Sequence, residues 1–127
     1  MAKWASDTVM DAALSAVDDC TLLTVCSAQP TTYAEASSTY ALADAVMTAG
    51  AGNGDYTLAN GDTSGRKLTV LQQANIPIDS SGTATHVALS ISGSSTLLYV
   101  TTCTSQALTA GGTVTVPAWD IEIADPA

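Results

Sequence analysis

The sequence predicts a mainly β domain: an antiparallel sandwich or partly closed barrel of about seven or eight short strands, with one N-terminal helix. Three observations carry that reading. From Thr83 onward the chain runs TATHVALSI, TLLYVTTCT, TVTV and AWDIEI, each rich in Val, Ile, Thr or Leu and bounded by Ser, Gly or Pro, as successive antiparallel strands are. In the last of these, Trp119, Ile121 and Ile123 share one face and Asp120 and Glu122 the other, the alternation of a half-buried strand. Charged residues make up only 12% of the chain and aromatics 5%, with no Phe. The core must therefore be aliphatic, and the outer faces hydroxyl-rich rather than ionic.

The 127 residues are read as one domain, 1–127, with an arm at 1–5, a helix at 6–20 and a β body at 21–127. Ser6 is the helix cap, and Asp7 sits favourably in the first turn. Val9, Ala13 and Val17 recur every four residues, flanked by Met10 and Leu14, and so form one apolar stripe, with Asp11, Asp18 and Asp19 off it. Asp18 and Asp19 oppose the dipole at the helix C-terminus, so docking to the sheet must hold the helix in place.

Residues 21–26 form the first strand, which Pro30 brings to an end. Residues 31–43 lack a period; Tyr33 and Tyr40 pin them to the body, with room for a short helix at 33–37. A short strand follows at 45–48. Asn53, Gly54 and Asp55, then Asn60, Gly61 and Asp62, make two turns around a strand at 56–59. Asp55, Asn60 and Asp62 are also oxygen donors suited to Ca²⁺, but their spacing matches no EF-hand loop and lacks the distal Glu. Residues 66–72 form a strand with Leu68 and Val70 on one face. Ile76, Pro77 and Ile78 make an edge segment, where Pro is tolerated.

The net charge is −9, and the cations are Lys3, Arg66 and Lys67. Such a chain neutralises few phosphates, which excludes nucleic acid as a partner, and an anionic membrane repels it. No run approaches the roughly 20 apolar residues of a membrane-spanning helix. The start, MAKWASD, has no apolar stretch after Lys3, so no signal peptide is expected and synthesis in a cytosol is. Cys20, Cys26 and Cys103 have no CxxC spacing; in that compartment they are reduced thiols packed as small apolar residues, with a Cys26–Cys103 bridge as the alternative. His86 is the one His; alternation gives it Ala84 and Ala88 as neighbours, neither of which serves a catalytic triad. Asp120 and Glu122 stand about 7 Å apart along a strand, within glycosidase range, but two acids on a wet strand face are ordinary. With no phosphate loop, dinucleotide fingerprint or HExxH, the expectation is a non-enzyme without cofactor or metal.

Two blocks resemble a known family. One is LTVCSAQPTTYAEA (23–36) with YALAD (40–44). The other comprises GDTSGRKLTV (61–70), GTATHVAL (82–89) and LLYVTTCTSQALTAGGTVTVPAWDIEIADP (97–126). Together they resemble small virion structural proteins of tailed bacteriophages, encoded near the major capsid protein. The resemblance implies a head decoration (cement) protein on the outer capsid surface, binding the major capsid protein as a symmetric homo-oligomer, a trimer at threefold positions. The alternative it implies is a small tail or fibre component used in host attachment. An acidic domain suits the outside of a head, since packaged DNA would repel it from within.

The candidate interface residues are Lys3 and Trp4. Chain ends are loose unless tied down. Either Trp4 packs beneath its own helix, or the arm reaches a neighbouring subunit or the capsid and Trp4 fills a pocket there.

Overall fold

The structure, a computed structural model, describes residues 4–125. Helix α1 (Asp7–Asp18) begins where expected, with the Val9 N–H donating to Ser6 Oγ at 3.3 Å. Its buried residues are Met10, Leu14 and Asp18, whereas Val9 is 63% exposed. The stripe expected along Val9 and Ala13 is thus shifted by one position. Met and Leu are longer than Val and Ala, so turning them inward buries more apolar area. Asp18, expected in water, is 4% exposed. Burial raises the pKa of its carboxyl, opposed by a hydrogen bond from the Ala51 backbone.

Nine strands follow: β1 (Leu22–Cys26), β2 (Ala41–Val46), β3 (Tyr56–Asn60), β4 (Arg66–Val70), β5 (Gln73–Pro77), β6 (Gly82–Ile91), β7 (Thr96–Leu108), β8 (Thr113–Val116) and β9 (Trp119–Ile123). They pair antiparallel in three sheets, ordered β2-β1-β6-β7, β3-β4-β9 and β5-β8. The chain is mainly β as predicted, and among the described residues no sheet closes into a barrel. The short helix expected at 33–37 is a single π-helical turn, Glu35–Thr39. The short strand expected at 45–48 begins four residues earlier, as β2.

The four C-terminal runs are all strands, but only β6 and β7 are neighbours. β8 crosses to β5 and β9 to β4. The turn after β7 explains the first crossing. The Gly111 N–H donates to the Ile78 carbonyl and the Ile78 N–H to that of Gly112, both at 3.0 Å, so the turn is fastened beside β5 before β8 begins. Beyond β5, Ile78 bridges Ala43, and the Asp79 and Ser80 N–H groups donate to the Leu42 carbonyl. The β5-β8 pair is thereby joined to the β2 edge of the four-stranded sheet. Six of the nine strands thus follow one another in the order β7-β6-β1-β2-β5-β8, with β7 and β8 at the two ends.

The core lies between the three sheets. Leu23, Val25, Val87 and Leu89 come from the four-stranded sheet, Tyr56, Leu68, Val70 and Ile121 from the three-stranded one, and Ile76, Val114 and Val116 from the β5-β8 pair. Leu14 closes it from α1. The Tyr56 hydroxyl, fully buried, donates to the Cys20 carbonyl at 2.9 Å and ties β3 to the junction between α1 and β1. Arg66 fastens α1 to β4 by a forked contact, Nε to Asp11 Oδ1 at 2.8 Å and Nη2 to Oδ2 at 3.3 Å. On the opposite face of the four-stranded sheet, the π-helical turn covers a small second cluster of Cys26, Ala36 and Ala88.

Candidate functional site

A groove of about 580 Å³ lies between β7 and β8, the two ends of that strand order. One wall is β7, at residues 101–104 and Gln106; the other is β8 with Pro117; Trp119 and Asp120 of β9 stand at one end. Val25, Ala84 and Val87 form an apolar floor. Side chains alternate across a strand, so a groove touched by four consecutive residues of β7 follows the strand's edge, not one of its faces. β7, β8 and β9 are each terminal strands of their sheets. Three backbone edges with unsatisfied pairing capacity therefore converge on one apolar-floored groove.

The β7 wall is irregular. Ala84 opposes Gln106 while His86 opposes Thr102, so two steps of β6 face four of β7 and residues 103–105 bulge out of the ladder. The far end is held by aromatic stacking: Tyr99 of β7 and Trp119 of β9 lie 5.9 Å apart at 30°. This pair joins the four-stranded and three-stranded sheets. The Trp119 Nε1 is buried with no hydrogen-bond partner among the described residues, which makes this the least polar-satisfied part of the wall.

The residues nominated from sequence do not gather in this groove. His86 is half-buried and its Nδ1 lies 2.8 Å from Thr85 Oγ1. Its expected same-face neighbours part company: Ala84 joins the main core and Ala88 the second cluster, on either side of the β7 bulge. Asp120 accepts from the Thr69 hydroxyl at 2.7 Å and lies 3.7 Å from Lys67 Nζ, which pairs at 2.8 Å with Asp62. Glu122 accepts from the Asp62 N–H at 2.7 Å. The two carboxylates are thus held by β4 and the turn before it.

The two Asn-Gly-Asp turns also stay apart. Asp55 accepts from the Thr48 N–H and from Gln73 Nε2, whereas Asn60 accepts from Arg66 at the other end of β3. A five-residue strand puts about 17 Å between them. Among the described residues no three His, Cys, Asp or Glu side chains form a metal-binding group.

All three cysteines are free thiols. Cys26 and Cys103 are separated by the whole of β6, about 9–10 Å of sheet, which exceeds the reach of a disulfide. They also face opposite ways, Cys26 into the second cluster and Cys103 onto the main core. Burial pushes the Cys26 thiol up to about 11 and raises those of Cys20 and Cys103.

Of the nominated interface pair, Lys3 lies outside the described residues. Trp4 is 83% exposed, so it does not pack beneath α1. The groove itself was not foreseen from sequence. Its one signal is the run TTCTSQ, which places Thr or Ser on both faces of β7 and so marks a strand lacking cover.

Comparison with protein-family models, with curated proteins and with solved structures gives no match for this chain.

Proposed function

We propose that this chain is a decoration protein of a bacteriophage head, held as a symmetric oligomer on the outer capsid surface with the major capsid protein as its partner. The family resemblance of the 23–44 and 61–126 blocks motivates the reading, and the observation that carries it is Trp4. A Trp presents the largest apolar surface of any side chain, and leaving it 83% exposed forgoes the burial that a folded monomer would otherwise provide. Val9 on the adjoining helix turn is 63% exposed as well. An exposed aromatic at the end of a short arm suits a protein that completes its burial on another surface. The −9 charge favours solubility of the chain before it meets a lattice. Repetition of a modest contact around a symmetric cluster then gives persistent attachment.

A direct test is co-sedimentation of the purified chain with assembled heads that lack it, beside dissociated capsid subunits. Saturable binding to assembled heads and none to dissociated subunits is expected, since cement proteins stabilise what they bind. Binding to neither, or to tails alone, overturns the reading.

A further inference from the structure

We propose that the groove between the free edges of β7 and β8 receives the N-terminal arm of a second copy of this chain, with Trp4 as the residue that fills it. The inference deepens the reading of the arm as a docking element and is independent of which particle the protein serves. Four observations lead to it.

The groove's shape suits an extended segment. It follows a strand edge, is floored by Val25, Ala84 and Val87, and measures about 580 Å³, room enough for one large aromatic side chain together with its backbone. A five-residue arm, extended, spans about 17 Å. An added strand takes its main-chain bonds from the edge and its specificity from a pocket for one side chain.

The bulge at 103–105 narrows the choice of occupant. Bulges twist an edge away from long ladders and guard against sheet-to-sheet growth. A short arm pairs with the few regular positions that remain, whereas the edge of another sheet does not.

Charge selects the arm among the chain's own segments. Two bodies of charge −9 repel. Arg66 is engaged with Asp11, and Lys67 with Asp62 and Asp120. Residues 1–6, MAKWAS, carry Lys3 and no acid, which makes them the stretch that an acidic partner attracts.

The arm also carries what the groove lacks. Trp4 is exposed on its own chain, and the floor it would cover is aliphatic. In a symmetric ring each copy would give one arm and receive one, so that every arm and every groove is used.

Cys103 provides the readout. It lines the groove and is only partly buried, whereas Cys20 and Cys26 are fully buried. A bulky maleimide should therefore label Cys103 selectively. In the full chain the labelling rate should fall as protein concentration rises, by about tenfold when the arm is present at ten times its dissociation constant. Sedimentation should show oligomers forming over the same range. Trp4→Ala, a change at an exposed site, should keep the rate of the dilute protein at every concentration. The synthetic peptide MAKWAS, added to the Trp4→Ala chain, should slow labelling again.

A rate independent of concentration and of the substitution overturns the proposal. So does slowing that is undiminished in Trp4→Ala, which would place another surface in the groove. Faster labelling of Trp4→Ala at all concentrations would mean that the arm folds onto its own groove, and that too overturns the second-copy occupant. The purified chain is the sole protein present, so failure here leaves the head-binding test of the proposed function standing.

Discussion

Replacing Tyr56 with Phe isolates one buried hydrogen bond. The ring is fully enclosed and its hydroxyl donates to the Cys20 carbonyl at 2.9 Å, joining β3 to the segment between α1 and β1. Phe keeps the ring and its packing, so no large cavity opens. What changes is the Cys20 carbonyl, which loses that donor inside the core. A buried polar group left without its partner costs about 1–3 kcal/mol. At roughly 2.1 cal/mol/K of unfolding entropy per residue, that range lowers the melting temperature of a chain this size by about 4–11 °C. Urea titration and calorimetry should agree on the loss, with the m-value unchanged because the same surface unfolds. Tyr33→Phe is the control, since Tyr33 is half-buried and its hydroxyl makes no hydrogen bond among the described residues; its cost should stay under about 0.5 kcal/mol. Equal stabilities of Tyr56→Phe and the parent, or equal losses in the two variants, would refute the assignment of that bond.

Three further outcomes follow from the same packing. Trp119→Ala removes a half-buried ring and its stack on Tyr99, and should cost about 2–4 kcal/mol by urea titration, somewhat below a full core truncation. Asp120→Asn on the wet face should cost under about 0.5 kcal/mol; equal losses would mean the faces of β9 are misassigned. Gly65 has φ +71, and a Cβ there would run into the Ile123 carbonyl oxygen. Gly65→Ala should thus lower stability by more than about 1 kcal/mol, whereas Gly93→Ala, with open space around it, should be near neutral; matching melting curves would contradict this. At alkaline pH the folded Cys26 thiol, at about 11, holds its proton more tightly than the unfolded one at 9.0. Its contribution is therefore whole below pH 9 and is lost as pH rises from 9 to 11, about 2–3 kcal/mol in all. Denaturant titrations across that range should show the decline, and Cys26→Ala should make it shallower, the remainder belonging to Cys20 and Cys103, which burial also raises; an unchanged slope would refute the burial argument.

Much of the fold was legible because period-2 alternation reports which face of a strand is buried. Trp119 with Ile121, and Leu68 with Val70, turned to the core as their spacing required. Alternation carries no information on which edge a strand pairs with. The crossing of β8 to β5 depends on Gly111 and Gly112 bonding to Ile78, a contact between residues more than thirty positions apart. The helix stripe failed for a related reason: Val9 and Met10 are both apolar, and only the surface beneath decides which one is buried. At the candidate site, Trp4 is exposed on its own chain, and what it meets elsewhere is a proposal. The groove was hidden because its defining property, the unpaired edges of β7, β8 and β9, is a consequence of topology. The bulge at 103–105 shows in sequence only as a Thr-rich run.

The central proposal is a position on a phage particle, and cryo-electron microscopy of tailed-phage virions assembled with this chain present tests it most directly. Density for the chain should stand on the outer face of the head, at threefold positions of the lattice, with each arm running from its α1 into the β7–β8 groove of a neighbour. Density for the chain in the tail or its fibres, or none on the particle, would contradict it.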